Sequence, residues 1–395
     1  MNDQERALPG NEPGQRWDRS LPLVVIMGAN GFDAPMADRH MARHLSRHCR
    51  VLFVEPPFSP LSGLRRSLAI SAPPRPSLRL VDDDLALLTP VTQPFPDRLA
   101  MHRVTRELVR LAVRRAVRQL GRPDVLVTAR PVLPDLEVVD ATRTVFWAQD
   151  DLVGGAALLG VSASALEAGS EHLARNADVL VAGTPWVAAH WEAKGLHPIL
   201  VPYGCEVEMY ADVDSLAPPD DIAYRGPAAG FVGFLGDRVD YRLLEAVLDA
   251  GIHLVVVGSV HERSDHGPAE RLVRRPNVTW VGPKKFSELP AFISRFQVGL
   301  VPYLDSPFNR GSFPLKTLEY LAAGRDVVAT PLPGVQWLGT DLVRTAWEPE
   351  PFVAAVRESL ASTSSAELTR QRQEFAAHHS WRVRAEAFAR AVGVI

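Results

Sequence analysis

Two charged residues one helical turn apart carry the clearest chemical signal in the sequence. Lys316 and Glu319 lie in the segment GSFPLKTLEYLAAGRDVVATPLPG, residues 311–334. Ser312 is a typical N-cap residue and Pro314 is tolerated in a first turn, so we predict a helix that begins beside Ser312. Free N–H groups at that helix end would bind phosphate together with Lys316, and Glu319 would hold a pair of hydroxyls. A diphosphate followed by a ribose diol is the pattern of a nucleotide sugar.

The residues that follow define how this helix is placed. Leucines at helical spacing give it one apolar stripe, and Gly324 ends it as a C-cap. Residues 326–330 then predict a short buried strand. A plainer interpretation remains open: Lys316 and Glu319 would be an i, i+3 ion pair on a capped surface helix.

The stretch PLKTLEYLAAGRDVVAT resembles the donor-binding signature of retaining group 1, family 4-like glycosyltransferases of the GT-B architecture. It is most similar to the teichuronic-acid and capsular-polysaccharide type. The resemblance implies that Glu319 binds the nucleotide ribose. It also implies that the loop and helix start bind the diphosphate through Ser312, Pro314, Leu315, Lys316 and Thr317. A second glutamate that many members carry before this helix is replaced here by Gly311.

Composition restricts the class of protein. A chain of 395 residues is long enough for two domains, and its net charge of −3 provides no global field that would attract nucleic acid. The two cysteines, Cys49 and Cys205, lie far apart, which argues for a reducing compartment without a disulfide framework or a cysteine metal site. No apolar run is long enough to span a bilayer, and residues 1–20 lack the apolar core of a signal peptide. We therefore expect a cytoplasmic protein with no nucleic-acid partner.

The first half of the chain predicts an α/β domain over residues 21–211, preceded by a disordered tail, 1–20. An apolar run, 21–27, is followed by the turn GANG, a helix and the strand 51–54. This βαβ pattern predicts a parallel sheet covered by helices. The resemblance makes this domain the acceptor domain of two Rossmann-like domains separated by a cleft.

Polar residues that follow predicted strands of a parallel sheet face its binding edge. Asn30 and Asp33 follow the first strand, and Asp150 and Asp151 follow the strand 144–147. A tight turn and a helix cap would explain Asn30 and Asp33 as well, and capping of the helix that follows would explain Asp150 and Asp151. We assign Asn30, Asp33, Asp150 and Gly204 to the acceptor side and give Asp151 a catalytic role.

A strongly basic helix is predicted within residues 98–122. One side of the helical wheel carries Arg103, Arg106, Arg110, Arg114 and Arg118. The other side carries Val104, Leu108, Leu111, Ala112, Ala116 and Leu120. Such a helix would lie on an anionic membrane at the inner face of the cell, or would be a solvated arginine face over an ordinary core stripe.

The second half predicts a linker, a second Rossmann-like domain and a returning helix. The Pro-, Gly- and Asp-rich residues 212–230 indicate the linker, with the hinge near Ala217–Gly230. Residues 231–378 would form the nucleotide-sugar domain, and 379–395 a helix that packs on the first domain. The turn Gly233–Arg238 is expected to meet the diphosphate, although Arg238 would equally suit an exposed turn. The resemblance places Gly258, Val281 and Gly282 at the nucleotide base.

Together these features predict transfer of a sugar from a nucleoside diphosphate sugar to a hydroxyl of a sugar, glycolipid or small molecule. Lys316 and Arg238 would stabilise the charge that grows on the leaving diphosphate. No metal-ligand motif stands out, so we expect no cofactor and no metal; the resemblance implies retention at the anomeric carbon. Polysaccharide or glycolipid assembly and antibiotic glycosylation both fit. Alternatives of another class are a nucleotide-sugar epimerase and a non-catalytic partner subunit.

Overall fold

A computed structural model describes residues 6–7, 17–59, 77–94, 99–262, 264–362 and 365–395. The chain divides into two compact units. Unit 1 comprises Met1–Gly183, Val187–Pro202 and Arg384–Ile395, and unit 2 comprises Thr184–Trp186 and Tyr203–Val383.

Unit 1 is built on one sheet. Its strands are β1 (Arg6–Ala7), β2 (Leu23–Met27), β3 (Arg50–Val54), β4 (Ser77–Asp82), β5 (Leu85–Thr89), β6 (Val125–Thr128), β7 (Arg143–Ala148), β8 (Val179–Ala182) and β9 (Ile199–Leu200). Across the described residues their order is β1-β4-β5-β3-β2-β6-β7-β8-β9. Pairing is antiparallel at β1-β4 and β4-β5 and parallel elsewhere. All five residues of β2 are buried, as a parallel strand covered on both faces requires.

Helices cover this sheet. Those that follow its strands are α1 (Ala37–Leu45), α2 (His102–Leu120), α3 (Ala156–Leu159), α4 (Ala163–Asn176) and α5 (Pro185–Ala193). Val109 and Val113 of α2 join Leu52 and Leu126 of the sheet in one buried cluster. The sheet therefore presents the carboxyl ends of β2, β3, β6 and β7 at one edge, where the predicted acceptor residues lie.

The face of helix α2 that packs on the core differs from the face predicted from the positions of its arginines. Its buried residues are Thr105, Val109, Val113, Ala116 and Leu120. Val104 and Leu111, predicted for the apolar side, are 47% and 63% exposed. Arg110, predicted for the basic side, is partly buried because its guanidinium binds both carboxylate oxygens of Asp135, at 2.8 and 2.9 Å. The predicted apolar stripe is thus wrong, because the buried face of α2 is rotated about the helix axis by part of a turn from the predicted face.

Unit 2 is built on a second sheet. Its strands are β10 (Ala228–Val232), β11 (His253–Val257), β12 (Val278–Trp280), β13 (Val298–Val301), β14 (Asp326–Ala329) and β15 (Val343–Thr345). Among the described residues they lie in the order β12-β11-β10-β13-β14-β15, all parallel. This is the strand order of a Rossmann fold, in which ligands bind where the order reverses, beside the first and fourth strands. In unit 2 those strands are β10 and β13.

The helices of unit 2 complete its layers. They are α6 (Tyr241–Asp249), α7 (His266–Val273), α8 (Leu289–Ile293), α9 (Pro307–Gly311), α10 (Leu315–Ala322), α11 (Pro333–Trp337), α12 (Pro349–Ala361) and α13 (Ala366–Ala377). Leu243 and Val247 of α6 and Phe352 of α12 pack with Leu254 and Leu300 in one buried cluster. This core fixes the strand ends that carry the candidate site.

The predicted linker is anchored on unit 2. β10 begins at Ala228, inside the segment 212–230 that composition predicts as linker. Ile222 is 1% exposed, and the ring of Tyr224 stacks on His253 with centroids 3.7 Å apart. Asp221 forms an ion pair with Lys284. These contacts all lie within unit 2, so this part of the predicted linker packs on unit 2.

The two ends of the chain both join unit 1. Residues Arg384–Ile395, which include most of the last helix, α14 (Trp381–Val392), belong to it, and Phe388 packs edge-on against Trp147 with centroids 5.3 Å apart. Near the other end Trp17 Nε1 donates to Leu120 O at 3.2 Å, and β1 pairs with β4. The remainder of the predicted disordered tail, and Arg98 of the predicted basic helix, lie outside the described residues. None of the helices in the described ranges is long and apolar enough to cross a membrane.

Candidate functional site

Lys316 and Glu319 form an ion pair in the first turns of α10. Lys316 Nζ donates to Glu319 Oε2 at 2.5 Å. The side chains are 22% and 8% exposed, so the pair is embedded in the protein and is not a solvated surface pair. A buried carboxylate is costly unless it is paired. The ion pair therefore keeps the charged Glu319 carboxylate inside the protein, which a pair on the surface of a capped helix would not have to do.

Tyr210 is a second partner of Glu319 that sequence reasoning missed. Its hydroxyl donates to Glu319 Oε2 at 3.1 Å, and its side chain is fully buried. Burial, and then the charge of Glu319, raise the pKa of Tyr210 well above its usual value, so the hydroxyl keeps the proton that it donates. The partners are 109 positions apart, and no local pattern links them.

Ser312 does not cap the helix that carries Lys316. Residues 307–311 form the short helix α9, and Ser312 Oγ donates back to Phe308 O at 2.8 Å. Helix α10 begins at Leu315 with Pro314 at its N-cap, and no side chain caps it. The N–H groups of Leu315 and Thr317 donate to Phe313 O and Pro314 O, both at 3.0 Å. The N-terminus therefore offers fewer free donors than predicted, and the charge of Lys316 carries more of the anion-binding potential.

The predicted contact residues around Lys316 differ in accessibility. Leu315 is half-buried, whereas Ser312 and Pro314 are buried. Thr317 is completely buried, and its hydroxyl finds no hydrogen-bond partner within the described part of the chain. The Thr317 side chain is therefore enclosed by protein.

Arg238 is held in a fixed orientation. Its Nε donates to Asn309 Oδ1 at 2.7 Å, and its guanidinium lies 5.0 Å from the Tyr303 ring centroid and 4.7 Å from that of Phe308. The Arg238 Nη atoms have no hydrogen-bond partner in the described part of the protein. Cation–π contacts and one hydrogen bond thus fix the direction of the Arg238 guanidinium. An arginine in an exposed turn would not need these contacts.

Asn309, another residue missed from sequence, fixes the loop around Arg238. It is 1% exposed, and its Nδ2 donates to Arg238 O at 3.0 Å and to Leu304 O at 2.9 Å. Arg242, the basic residue four positions after Arg238, instead pairs with Asp240 at 2.8 Å and is 65% exposed.

Glycines bring the ends of β10, β11 and β12 into contact. Gly258 has φ +148°, and a Cβ built there would lie 1.9 Å from Gly233 O. Gly258 N donates to Gly282 O at 2.9 Å, and Trp280 Nε1 donates to Gly258 O at 2.7 Å. Tyr320 OH accepts Val232 N–H at 2.9 Å and so ties α10 to the end of β10. Contacts thus join Gly258 to Gly233 and to Gly282, and α10 to the strand end that precedes Gly233.

The Gly28–Asp33 loop of unit 1 is held by buried charged residues that the prediction did not include. Asp38 Oδ2 accepts Asn30 N–H at 2.9 Å, and Glu55 Oε1 accepts Phe32 N–H at 2.9 Å. Arg130 donates to Gly28 O and Val54 O. Burial raises the pKa of Asp38 and lowers that of Arg130 to about 10.

The predicted acceptor residues take several local roles. Asp33 is exposed and does not cap α1, whose N-cap is Met36; its carbonyl accepts from Arg39 at 3.1 Å. Asp151 Oδ1 accepts Gly154 N–H at 2.9 Å and so closes a turn, whereas the helix that follows, α3, has Gly155 at its N-cap and no side-chain cap. Asp150 O accepts Leu152 N–H at 2.9 Å in the same turn.

Gly204 lies against backbone. A Cβ built on Gly204 would lie 2.6 Å from Trp381 N, so glycine is required there by close packing. Trp381 is 2% exposed and packs against Tyr203, as expected of a packing anchor. The structure thus explains Gly204 without an acceptor contact. In the described ranges no cluster of three or more His, Cys, Asp or Glu is arranged to hold a metal ion.

Known proteins are similar to this chain in sequence and in fold. Residues 229–362 match the family model described as "Glycosyl transferases group 1". A protein named as the teichuronic acid biosynthesis glycosyltransferase TuaH of Bacillus subtilis is 29% identical over 184 residues, 45% of this chain and 46% of that protein. The chain thus spans about half the length of the curated relative it matches.

Solved structures extend the similarity in fold to nearly the whole chain. Sucrose-phosphate synthase from Thermosynechococcus elongatus has a TM-score of 0.69 at 17% identity, over 94% of this chain and 98% of that one. Anabaena HepE in complex with UDP-glucose has a TM-score of 0.66 at 13% identity, over 94% of this chain and 100% of that one. The predicted GT-B architecture and the resemblance to group 1 glycosyltransferases are confirmed.

Proposed function

We propose that this chain, whose residues 229–362 match the group 1 glycosyltransferases, transfers a sugar from a nucleoside diphosphate sugar to a hydroxyl acceptor. The observation that carries the proposal is the nearly buried Glu319 carboxylate, which pairs with Lys316 on α10 and accepts a hydrogen bond from Tyr210. Two cations and one carboxylate match a diphosphate and a ribose. HepE, similar in fold, has been solved with UDP-glucose.

The chemical work assigned to these residues is electrostatic. As the bond between sugar and diphosphate breaks, negative charge grows on the leaving phosphate oxygens. Lys316 and the unpaired Nη atoms of Arg238 would stabilise that charge as it develops, and positioned charges of this kind supply a large share of enzymatic rate acceleration. Lys316 would exchange its contact with Glu319 for one with phosphate. No step in this scheme requires a metal ion, and the resemblance favours retention at the anomeric carbon.

The remaining donor contacts would come from backbone. Gly233, Gly258 and Gly282 lack side chains where three strand ends converge, so a ligand can approach the main chain closely. We assign the base to Gly258, Val281 and Gly282, and the diphosphate to Gly233, Leu315 and Lys316. Ser312, Pro314 and Thr317 would act by shaping the backbone.

The acceptor would be bound by unit 1. We assign Asn30 and Asp33, in a loop fixed by Asp38 and Glu55, and the turn of Asp150 and Asp151 to this role. The name of the curated relative, a teichuronic acid biosynthesis glycosyltransferase, favours a role in polysaccharide assembly. Natural-product glycosylation remains the alternative within the same reaction class.

We propose that the exposed face of α2 contacts an anionic membrane. It combines two exposed apolar residues, Val104 and Leu111, with four arginines: Arg103, Arg114, Arg115 and Arg118. Each basic residue near anionic headgroups contributes about 1 kcal/mol, and an exposed leucine adds apolar contact.

Cosedimentation with vesicles tests the membrane proposal. Wild type is expected to bind vesicles that contain phosphatidylglycerol and to be released by salt, whereas Arg114→Glu combined with Arg118→Glu should stay in solution. Arg175→Glu, at an exposed arginine of α4, is the control. Equal binding of wild type and the double variant would refute the contact.

Turnover of labelled donors tests the function itself. The protein is incubated with UDP-, GDP- and ADP-sugars and membrane-lipid or oligosaccharide acceptors, and the position of the labelled sugar is followed. We expect transfer from one donor, at least about tenfold slower in Arg238→Ala because a charge-stabilising contact is lost. Arg242→Ala, which changes an exposed arginine paired with Asp240, should keep the wild-type rate. An isomerised donor would support an epimerase, and absence of any turnover would support a non-catalytic subunit.

A further inference from the structure

Both donors to Glu319 act on the same carboxylate oxygen. Tyr210 OH and Lys316 Nζ each donate to Oε2, at 3.1 and 2.5 Å. In the described part of the chain, Glu319 Oε1 accepts no hydrogen bond. It is also not a buried atom, so it is exposed to solvent. The carboxylate is therefore held by one oxygen and presents the other.

Tyr210 supplies the more rigid of the two contacts. It is fully buried directly after the short helical turn Val207–Met209, and its hydroxyl remains protonated because burial raises its pKa. Lys316, in contrast, has a flexible side chain that is 22% exposed. If Lys316 turns toward a phosphate, Tyr210 is left as the donor that keeps Glu319 in place.

We infer that Tyr210 is a positioning residue that aims Glu319 Oε1 at a ribose hydroxyl, so that the donor is a ribonucleoside diphosphate sugar and not a 2′-deoxyribonucleoside one. The inference rests on the proposed function. A carboxylate oxygen fixed in a nearly buried site rejects an analogue that lacks the matching hydroxyl, because the oxygen then loses both water and ligand. A loosely held carboxylate would turn away and discriminate less.

The test compares the binding of ribo- and 2′-deoxyribonucleotides by titration calorimetry. UDP, GDP and ADP are each titrated beside their 2′-deoxy forms, into wild type and Tyr210→Phe. We expect wild type to bind one ribonucleotide about tenfold to a hundredfold more tightly than its deoxy form, the range of a hydrogen bond to a charged group. In Tyr210→Phe this ratio should fall at least about threefold, while the affinity for the deoxy form changes less than about twofold.

Tyr241→Phe is the matched control. It removes another buried tyrosine hydroxyl of unit 2, one on α6 that has no hydrogen-bond partner among the described residues. It should leave the ribose preference unchanged. Glu319→Asp is a second test if Tyr210→Phe does not fold, because the shorter carboxylate withdraws from Tyr210; it should also lose the preference.

The outcomes separate the inference from the function on which it rests. An unchanged ratio in Tyr210→Phe, or equal weakening of ribo and deoxy forms, overturns the positioning role and leaves the glycosyltransferase proposal in place. If Glu319→Asp keeps the full preference for the ribonucleotide, the positioning role is overturned as well. If wild type binds none of the nucleotides, the proposed function fails and the inference fails with it.

Discussion

At the level of single residues, the carboxylate of Glu319 dominates the energetics of the candidate site. It is only 8% exposed, and Lys316 and Tyr210 compensate for its lost hydration. Removing one partner of a buried ion pair lowers the stability strongly, because the other charge stays buried without a partner. Removing both partners lowers the stability much less.

A double-mutant cycle measures this compensation. Lys316→Met should lower the free energy of unfolding by about 1–2 kcal/mol, below the usual range for a buried pair because Lys316 is partly exposed. Adding Glu319→Gln should restore part of that loss, since an amide needs no counter-ion. Denaturant titrations of the four proteins give the coupling energy. Strictly additive effects would show that the pair contributes nothing.

Asn309 offers a second prediction at this scale. Asn309→Ala removes the acceptor of Arg238 Nε and two donors to backbone carbonyls. The Kd for a nucleoside diphosphate should rise about fivefold or more, and the Kd for the monophosphate should change less than about twofold. The reason is that the Arg238 guanidinium would lose the orientation in which it makes a charge-assisted contact with the diphosphate. Calorimetric titrations with UDP and UMP, or with the base that binds, check it. Equal weakening of both would contradict a specific effect on the diphosphate.

At the level of elements, the strand ends of unit 2 are shaped by glycine. Gly258→Ala places a Cβ against Gly233 O, whereas Gly251→Ala, at a positive φ of 78°, meets nothing within 4 Å. We expect Gly251→Ala to cost about 1 kcal/mol from backbone strain alone and Gly258→Ala clearly more, since the backbone must shift. Thermal unfolding of both variants compares them. Equal costs would show that the close approach of the two loops relaxes easily.

Elements were predictable where the local pattern is strong. The apolar run of β2 and the segment from Leu315 to Ala329 formed the expected strand, helix and strand. The cap at Ser312 was wrong because its hydroxyl binds the turn before it. The face of α2 was wrong because Arg110 finds Asp135 in a loop that follows the next strand. The first error comes from a competing local hydrogen bond four residues back, and the second from a tertiary partner that no local pattern reveals.

At the level of the whole molecule, parallel sheets covered by helices were predictable from the alternation of strands and helices, and the resemblance implied two Rossmann-like domains. The packing of Ile222 and Tyr224 in unit 2 was not, because the Pro/Gly-rich composition of their segment does not reveal it. The site partners Tyr210 and Asn309 were likewise invisible, since each acts on a residue far away in sequence.

Hydrogen exchange maps ligand binding over the whole chain. A bound nucleoside diphosphate should slow amide exchange in unit 2, at the turns after β10, β11 and β12 and across α9 and α10. Unit 1 should change little without an acceptor, because its candidate residues do not belong to the donor site. Mass spectrometry of peptides with and without nucleotide measures this. Protection confined to unit 1 would contradict the assignment of the donor to unit 2.

The central claim is that unit 2 binds a nucleoside diphosphate through Glu319 and Lys316. Its most direct test is a thermal-shift titration of wild type and Glu319→Ala with UDP, GDP and ADP. One nucleotide should stabilise wild type, by about 2.7 kcal/mol at a hundredfold excess over its Kd, and should shift the variant much less. If folded wild-type protein responds to none of the three, or if Glu319→Ala responds as strongly, the account of the site is contradicted.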